Sequence, residues 1–241
     1  MSEFWSDPEL KKNFENVFNK TTLKSLYDLS DKGFFDVLHG AVKDGKESKI
    51  FVAEDSDGEK LAVKIYTIEA SNYDEMTKYL FNDPRFEGIS DKKRDIIFAW
   101  CKKEFKNLKK ANRIGLNAPN PVAFNRNVLM MDFIGEGFKP APKLNEVRLE
   151  EPEREFKFLI DQLKKLYAEE NLVHGDMSPY NILWHRKPYL IDFSQAVLSS
   201  HPLADDLLER DLKNLVEHFN KEYSLSKDLK EVISFVRSEK D

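Results

Sequence analysis

The sequence predicts an α+β protein of two lobes, with strands dominating the first lobe and helices the second. Alternating apolar residues mark three consecutive segments between Phe34 and Tyr66, a pattern typical of antiparallel strands. Helical periodicity follows from Asp91 to Ile114 and again from Glu153. The chain has 241 residues, of which 41% are hydrophobic, so it is large enough for two small lobes with a real core.

The first third is predicted to consist of helices followed by strands. Apolar residues such as Phe14, Val17 and Leu26 recur at helical spacing, with Thr21 or Thr22 as the expected cap between two short helices. The segments FFDVLHGAV, SKIFVAED and EKLAVKIY are then predicted to be strands, separated by two turns. Weaker periodicity over residues 68–90 indicates an insertion with some helix.

The remaining elements follow in order. We predict a helix over 91–114 ending at Gly115, strands over 121–124 and 128–134, a linker over 135–142, and helices over 153–170, 203–219 and 227–236. This order divides the chain into a helical extension (1–33), a first lobe (34–135) and a second lobe (136–241).

Composition and charge exclude several classes of function. The net charge is −5, so the surface as a whole does not attract nucleic acid and no DNA partner is expected. No apolar run approaches the roughly 20 residues that cross a bilayer, and the start MSEFWSDPEL lacks the features of a secretory signal. The single Cys101 excludes an internal disulfide and, with five scattered histidines, offers no zinc-site spacing. These features favour a cytoplasmic protein without a membrane partner.

The stretch LVHGDMSPYNILWHRKPYLID carries the clearest chemistry. Asp176 is followed five positions later by Asn181, and a hairpin of two apolar strands then ends in Asp192. Phosphoryl transfer needs one carboxylate at the acceptor hydroxyl, and an amide plus a second carboxylate on Mg²⁺ at the nucleotide phosphates. His174 is expected to support the loop, and Asp211, in a later helix, to brace it.

A lysine and a glutamate in the first lobe complete this chemistry. Lys64 lies in LAVKIY, which matches the strand pattern whose lysine holds nucleotide phosphates. Ile97, Cys101, Glu104 and Leu108 share one face of the predicted helix. An acid in such an apolar stripe is costly without a partner, so we predict that Glu104 pairs with Lys64.

The glycine-containing turn and the last strand of the first lobe are candidates for nucleotide contacts. GAVKDGKES is close to a phosphate-binding P-loop, but Glu47 occupies its Ser/Thr position and a strand follows, so a P-loop NTPase is excluded. The turn 43–48, with Lys46 and Ser48, can still cover phosphates. In a kinase, the strand end at Met131, Asp132 and Ile134 would dock adenine.

These motifs together resemble the RIO family of atypical serine/threonine protein kinases, specifically the short archaeal type of its RIO-one branch. The resemblance covers nearly the whole chain, including YLFNDPRFEG, VLMMDFIGEG, LVHGDMSPYNIL and IDFSQAV. It implies a trimmed protein-kinase-like fold, with an antiparallel sheet plus a helix in the first lobe and a mainly helical second lobe. The N-terminal part is too short for the winged helix expected of the RIO-two branch.

The resemblance implies an ATP- and Mg²⁺-dependent serine/threonine kinase with ATPase activity and autophosphorylation, with Mn²⁺ as an alternative ion. It implies the pre-ribosomal small subunit and its rRNA as partners. By position it implies Lys64 as the phosphate-binding lysine with Glu104 as its partner, and Asp176 as the catalytic aspartate. It implies Asn181 and Asp192 as metal ligands, with Asp192 also becoming a transient aspartyl phosphate. The implied nucleotide contacts are Ser48 and Lys46 at the phosphates, and Met131, Asp132 and Ile134 at adenine.

Departures from the family pattern leave the substrate open. KDGKESK stands where STGKEAN is usual, and HGDMSPYN where HADLSEYN is usual. No D-F-G or A-P-E segment is present, so most of a peptide platform is missing. A small-molecule kinase of the aminoglycoside or choline type shares H-G-D-x4-N, and an inactive nucleotide-binding scaffold is the third alternative. The basic residues from Lys92 to Arg113 are a candidate RNA-docking surface.

Overall fold

The computed structural model describes residues 18–68 and 73–238, so the helix predicted around Phe14 lies outside the described residues. These residues form two compact units. The first comprises the described residues up to Phe81, together with Phe86–Phe105 and Asn120–Pro140. The second comprises Asn82–Arg85, Lys106–Pro119 and the residues from Ala141 onward. The predicted division into an extension and two lobes remains a prediction.

The first unit is built on a five-stranded antiparallel sheet in the order β1-β2-β3-β5-β4. Its strands are β1 Val37–Asp44, β2 Ser48–Glu54, β3 Lys60–Tyr66, β4 Pro121–Asn125 and β5 Val128–Asp132. The α+β class is confirmed, with strand ends shifted by one to three residues. β5 ends at Asp132 rather than Ile134, and β1 begins three residues later than predicted.

The late start of β1 has a local cause in the helix before it. Helix α1 (Lys20–Asp31) is closed by N–H bonds from Gly33 to the Ser30 carbonyl and from Phe34 to the Leu29 carbonyl. This is the Schellman arrangement, in which Gly33 takes a positive φ of 77°. Phe34 therefore belongs to the helix end and not to the strand.

The predicted cap of α1 at Thr21 or Thr22 is wrong. Asn19 caps the helix, because its side-chain oxygen accepts the N–H of Thr22 at 3.0 Å. Thr22 is inside the helix and buried, where its hydroxyl accepts a hydrogen bond from Asn127.

Helix α1 covers one face of the sheet. Leu61, Val63 and Ile65 alternate along β3 toward this face and pack with Leu26 and Leu29 of the helix. The even-numbered residues of β3 face the other side, where a later helix, α3 (Lys93–Arg113), contributes Phe105 against Phe124 at a ring separation of 4.7 Å. The sheet thus has an apolar α1 face and a second face that carries Lys64.

Two further helices and a hairpin complete this part of the chain. They are α2 Tyr73–Leu80, α3 Lys93–Arg113, β6 Gly135–Glu136 and β7 Lys139–Pro140. Helix α3 confirms the predicted long helix and is followed by Gly115 at a φ of 69°. The predicted linker is instead partly ordered as the β6–β7 hairpin. A Cβ at Gly135 would collide with the Lys139 carbonyl oxygen, so glycine is required there.

The second unit is mainly helical. It contains α4 Pro152–Glu170, β8 Leu172–Val173, β9 Ile182–His185, β10 Lys187–Leu190, β11 Val197–Leu198, α5 Ala204–Tyr223 and α6 Leu229–Arg237. Helix α5 extends four residues beyond its predicted end at Phe219. Tyr223 holds the extra turn, because its ring packs on Phe219 and its hydroxyl accepts the N–H of Leu149 at 3.1 Å. Within the described ranges, no helix is both long and apolar enough to span a bilayer.

A buried asparagine links α1 to the sheet and supplies a test of this packing. The Asn127 side chain donates to the Tyr66 carbonyl (2.9 Å) and to the Thr22 hydroxyl (2.8 Å). We expect Asn127→Ala to lower the free energy of unfolding by about 2 kcal/mol, because both acceptors stay buried without this donor. Urea denaturation followed by circular dichroism measures the change. The exposed Asn120→Ala is the control, with an expected effect below about 0.5 kcal/mol; equal losses in the two variants would contradict the assignment.

Candidate functional site

The first unit contains a buried ion pair. Lys64 Nζ lies 2.9 Å from Glu104 Oε1, and the side chains are only 5% and 0% exposed. Lys64 comes from the middle of β3 and Glu104 from α3, as the apolar stripe of the helix predicts. Two charges removed from water are costly unless their remaining lone pairs and protons also form hydrogen bonds. The residues around this pair therefore determine its geometry.

Tyr66 is the hydrogen-bond partner of the second carboxylate oxygen of Glu104. Its hydroxyl donates a hydrogen bond to Glu104 Oε2, and its ring centroid lies 5.1 Å from Lys64 Nζ. Tyr66 is held by Asn127, whose main-chain carbonyl accepts the Tyr66 N–H while its side chain donates to the Tyr66 carbonyl. Burial raises the pKa of the neighbouring Cys101 thiol well above its ordinary value, and the charge of Glu104 adds to this. Sequence reasoning missed Tyr66, although its place two residues after Lys64 puts it on the same strand face.

Several other predicted residues share the sheet face of Lys64. Ser48 is the register partner of Tyr66 and Met131 that of Ala62, so their side chains project from this face. Lys46 is exposed in the β1–β2 turn, which the Gly45 N–H closes on the Ser48 carbonyl at 3.1 Å.

Asp132 and Ile134, the other two residues predicted at adenine, lie at the end of β5. Asp132 is on the opposite sheet face, where its Oδ2 accepts the Asn120 N–H at 3.0 Å and burial raises its pKa. Ile134 follows the strand, and its backbone groups form no hydrogen bond with the described residues.

In the second unit, the loop after β8 joins Asp176 to Asn181. The Asn181 amide nitrogen donates to the Asp176 carbonyl at 2.7 Å and to its carboxylate Oδ2 at 2.8 Å. The amide oxygen of Asn181 is therefore turned away from Asp176. One loop thus carries a fixed carboxylate and an amide oxygen that points away from it.

The β9–β10 hairpin returns Asp192 to this loop. Leu190 pairs with Ile182, and the Ile191 N–H donates to the Asn181 carbonyl at 3.0 Å, so Asp192 follows directly. Asp192 has a φ of 64°, a left-handed conformation that costs a non-glycine residue about 1 kcal/mol. Its Oδ1 accepts the Ser194 hydroxyl at 2.7 Å. The Ser194 hydroxyl thereby holds one carboxylate oxygen of Asp192 in place.

Helix α5 holds the main chain of the Asp176 loop. Asp211, which is buried, accepts the N–H groups of Gly175 (2.7 Å) and Met177 (2.8 Å), as expected for the bracing aspartate. Burial raises the pKa of its carboxyl to about 7, while these two donors act to lower it. Arg210 donates to the Gly175 carbonyl, and Asn214 donates to the Met177 carbonyl at 2.9 Å.

Two further buried residues hold the flanks of the site. His174 accepts the Asp176 N–H on Nδ1, so Nε2 carries the proton donated to the Ile191 carbonyl at 3.1 Å. Asn107 of α3 donates to the carbonyls of Phe193 and Ala196, each at 2.9 Å. Its oxygen accepts from Arg85 at 2.8 Å. No pattern in the sequence marks Asn107, because its partner Phe193 is 86 positions away.

The basic residues between Lys92 and Arg113 do not form one uniform surface. Lys103 is buried, with its Nζ 5.1 Å from the Trp100 ring centroid. Lys110 and Arg113 form ion pairs with Glu170 at 3.4 Å and 2.6 Å. The exposed cations of the run are Lys92, Lys93, Arg94, Lys102, Lys109 and Arg113.

Comparison with known proteins identifies relatives of both units. The RIO domain family model matches residues 49–232. The chain is 42% identical over 211 residues to the RIO-type serine/threonine-protein kinase Rio1 of Methanocaldococcus jannaschii, covering 87% of this chain and 72% of that one. Identity to Rio1 of Haloferax volcanii is 39% over 209 residues, covering 86% and 72%.

A solved structure with the same fold is the Rio2 kinase-ADP/Mg²⁺-phosphoaspartate complex from Chaetomium thermophilum. The two share a TM-score of 0.66 and 21% sequence identity, over 86% of this chain and 64% of that one. The chain therefore spans somewhat less than two thirds of that structure. At this identity the likeness confirms the protein-kinase-like fold.

The buried ion pair allows a test by thermodynamic coupling. We expect Lys64→Met to lower the free energy of unfolding by about 3 kcal/mol, because Glu104 stays buried without its cation. Adding Glu104→Gln removes that charge and keeps an acceptor for Tyr66, so the double variant should be more stable than Lys64→Met alone. Urea denaturation at fixed pH measures both.

Lys60→Met is the matched control, since Lys60 lies on the same strand as Lys64 and forms a more exposed pair with Glu54 of β2. Its loss should stay below about 1 kcal/mol. A double variant as unstable as the sum of its two single variants would show that Lys64 and Glu104 are not coupled.

Proposed function

This chain belongs to the RIO family of serine/threonine kinases, and we propose that it transfers the γ-phosphate of ATP with the help of Mg²⁺. The observation that carries the proposal is the hydrogen bonding of Asn181 to Asp176. It presents one carboxylate for an acceptor hydroxyl and leaves the amide oxygen for a metal ion.

The oxygens of this loop fit Mg²⁺, which prefers hard oxygen ligands. The amide nitrogen of Asn181 is engaged by Asp176, so the amide oxygen remains for coordination. Asp192, whose Oδ1 accepts the Ser194 hydroxyl, is the candidate carboxylate ligand. When bound, the ion neutralises negative charge on the nucleotide phosphates. Mn²⁺, which accepts the same oxygen ligands, is an alternative.

Residues of the first unit supply the rest of the nucleotide site in this proposal. Lys64 binds phosphate oxygens, and Glu104 with Tyr66 fixes its ammonium group in one position. The backbone groups of Ile134 donate to and accept from adenine, beside Met131. Ser48 and Lys46 of the β1–β2 turn lie against the phosphates.

Asp176 has the role of orienting the acceptor and taking its proton. Its Oδ2 is fixed by Asn181, and its main chain is held through Gly175 and Met177 by Asp211. A serine hydroxyl that donates to the Asp176 carboxylate is thereby aligned for attack on the γ-phosphorus, and ADP leaves.

We further propose that Asp192 itself serves as an acceptor. The Rio2 structure is described as a phosphoaspartate complex with ADP and Mg²⁺. By the same chemistry, the Asp192 carboxylate would attack the γ-phosphorus, a P–O bond to ADP would break, and water would later hydrolyse the acyl phosphate. The net reaction is ATP hydrolysis, and transfer to a protein hydroxyl is the second outcome of the same site.

The two other functions left open by the sequence have less support. The family match accounts for most of the chain, which a small-molecule kinase of the aminoglycoside or choline type would not explain. An inactive scaffold would be expected to lack one of Lys64, Asp176 or Asp192, and all three are present.

The nucleotide chemistry is tested with purified protein, γ-labelled ATP and Mg²⁺. We expect slow release of free phosphate and a protein-bound label that hydroxylamine removes, since acyl phosphates are cleaved by that reagent. Asp192→Asn should abolish this label and slow turnover at least about 100-fold, because both the acceptor and a metal ligand are removed. The exposed Asp206→Asn is the control and should behave as wild type. A label stable to hydroxylamine would contradict the acyl phosphate.

For the cellular role, we propose that the protein acts in the cytoplasm on the maturing small ribosomal subunit and contacts its rRNA. Its support is the family resemblance together with exposed cations at the start of α3 and on its surface. Cations that neutralise backbone phosphates release counterions, so such binding weakens steeply with salt.

We expect the triple variant Lys92→Glu, Lys93→Glu and Lys102→Glu to bind small-subunit rRNA more weakly and with a smaller salt slope. For single strands the slope should fall by about 0.7 for each phosphate that the protein no longer neutralises. Fluorescence anisotropy across a salt series measures both quantities. Reversal of Lys20, Lys24 and Lys32, which are exposed around α1, is the matched control. Equal slopes for the two triple variants would rule out the α3 surface.

A further inference from the structure

A cavity of about 530 Å³ lies beside the Asp176 loop in the second unit. Three segments line it: residues 145–148, the loop residues Ser178–Tyr180, and one side of helix α5 from Asn214 to Tyr223. Asn214 also donates to the Met177 carbonyl, so the cavity wall and the loop share a residue. The nucleotide proposal assigns no role to this cavity.

The chain itself limits the distance from this cavity to Asp176. Ser178 and Tyr180 follow Asp176 by two and four residues, and an extended chain advances at most about 3.5 Å per residue. Their Cα atoms thus lie within roughly 7 Å and 14 Å of that of Asp176. A peptide whose serine reaches Asp176 in extended form would place a side chain two to four residues away at the cavity.

The charges around the cavity leave one cation without an ionic partner. Glu217 is paired with Lys213 at 3.7 Å, and Glu222 with Lys221 at 3.6 Å. Arg148 lines the cavity from the other side, is exposed, and forms no ion pair with the described residues. Arg148 is therefore the charged residue of the lining that a ligand could pair with; Lys213, the partner of Glu217, lies outside the lining.

A histidine adds an unused polar atom. His218 Nε2 is buried and has no hydrogen-bond partner within the described residues, although the residue lines the cavity. Its ring packs edge-on against Phe219 and Tyr223, at centroid distances of 5.4 Å and 6.2 Å. A buried ring nitrogen without a hydrogen-bond partner is costly unless a ligand supplies that partner. A carboxylate would accept a hydrogen bond from the protonated Nε2.

Tyr180 supplies an aromatic rim on the side of the loop. It is 58% exposed, immediately precedes Asn181, and has Lys143 Nζ 5.7 Å from its ring centroid. An exposed aromatic next to a polar cavity is a common anchor for an extended peptide.

We propose that this cavity binds an acidic side chain of the protein substrate, two to four residues from the phosphorylated serine. Arg148 pairs with the carboxylate, His218 donates to it from Nε2, and the peptide chain passes over Tyr180. The inference rests on the proposed kinase function, and it assigns the selection of the acceptor segment to residues 145–148 and α5.

The test uses synthetic serine peptides with Asp or Asn placed two, three or four residues from the serine on either side. For the full-length protein we expect Asp at one of these positions to raise kcat/KM about ten-fold over Asn, as for one charge-assisted hydrogen bond. Arg148→Glu should remove this preference and favour a Lys-containing peptide, and Arg148→Lys should retain most of it. His218→Leu should reduce it. The exposed Lys230→Glu is the control for general charge effects.

Release of phosphate from ATP without peptide is measured in parallel for each variant, because it depends on the nucleotide site alone. Normal ATP turnover with no preference for acidic peptides, or with a preference that survives Arg148→Glu, would overturn the cavity assignment and leave the nucleotide chemistry standing. If the wild-type protein showed no ATP turnover, both the proposed nucleotide chemistry and the cavity assignment would be overturned. If Arg148→Glu weakened the binding of labelled rRNA and left peptide kinetics unchanged, the cavity would be an RNA contact and the proposal wrong.

Discussion

A carboxylate removed from water must be met by donors, and in each unit one such group holds a segment that carries chemistry. In the first unit it is Glu104, which receives Lys64 and Tyr66 from a single strand. In the second unit it is Asp211, which receives two main-chain N–H groups of the Asp176 loop. In both cases the acid lies on a helix and its donors lie on the segment that carries chemistry. A rigid helix can therefore fix the position of a strand or loop residue.

The support of the Asp176 loop acts on main-chain atoms, and this explains which departures from the family pattern are tolerated. Asp211, Arg210 and Asn214 bind N–H and carbonyl groups of Gly175 and Met177, whose side chains take no part. The residue at position 177 can change while those hydrogen bonds persist. Gly175 is more constrained, because its φ is 78° and a Cβ there would lie 3.0 Å from the Gln195 carbonyl oxygen. Asp176 and Asn181 bind each other through their side chains, so a change in either one breaks the hydrogen bond between them.

The extent to which this site follows from the sequence depends on the kind of interaction. The pairing of Lys64 with Glu104 is predictable, because an acid within an apolar helical stripe requires a nearby cation. The hydrogen bond from Tyr66 to Glu104 is not predictable, since a tyrosine in an apolar strand usually packs in the core. The cap at Asn19 was missed because the two threonines after it are also favoured cap residues, and residue type alone does not fix where a helix begins. Most element types follow from periodicity, whereas the start of β1 after Phe34 depends on the helix end that precedes it.

Long-range contacts account for most of what the sequence does not predict. Asn107 reaches Phe193 across 86 positions, and the cavity wall combines residues 145–148 with α5 about seventy positions later. No local pattern marks such partners, because each residue taken alone resembles an ordinary polar surface position.

The shared residue Asn214 gives this long-range arrangement a consequence for mechanism. One side of it lines the cavity, and its amide donates to the loop that carries Asp176. Under the proposed assignment, a substrate carboxylate binds Arg148 and His218 while the substrate serine binds Asp176, and Asn214 contacts both the cavity and the Asp176 loop. Any change in loop position that favours one of these contacts alters the free energy of the other, and linkage makes that coupling equal in both directions. Selection of the substrate and alignment of its hydroxyl would then be a single binding event, built on the main-chain hydrogen bonds that α5 gives to the loop.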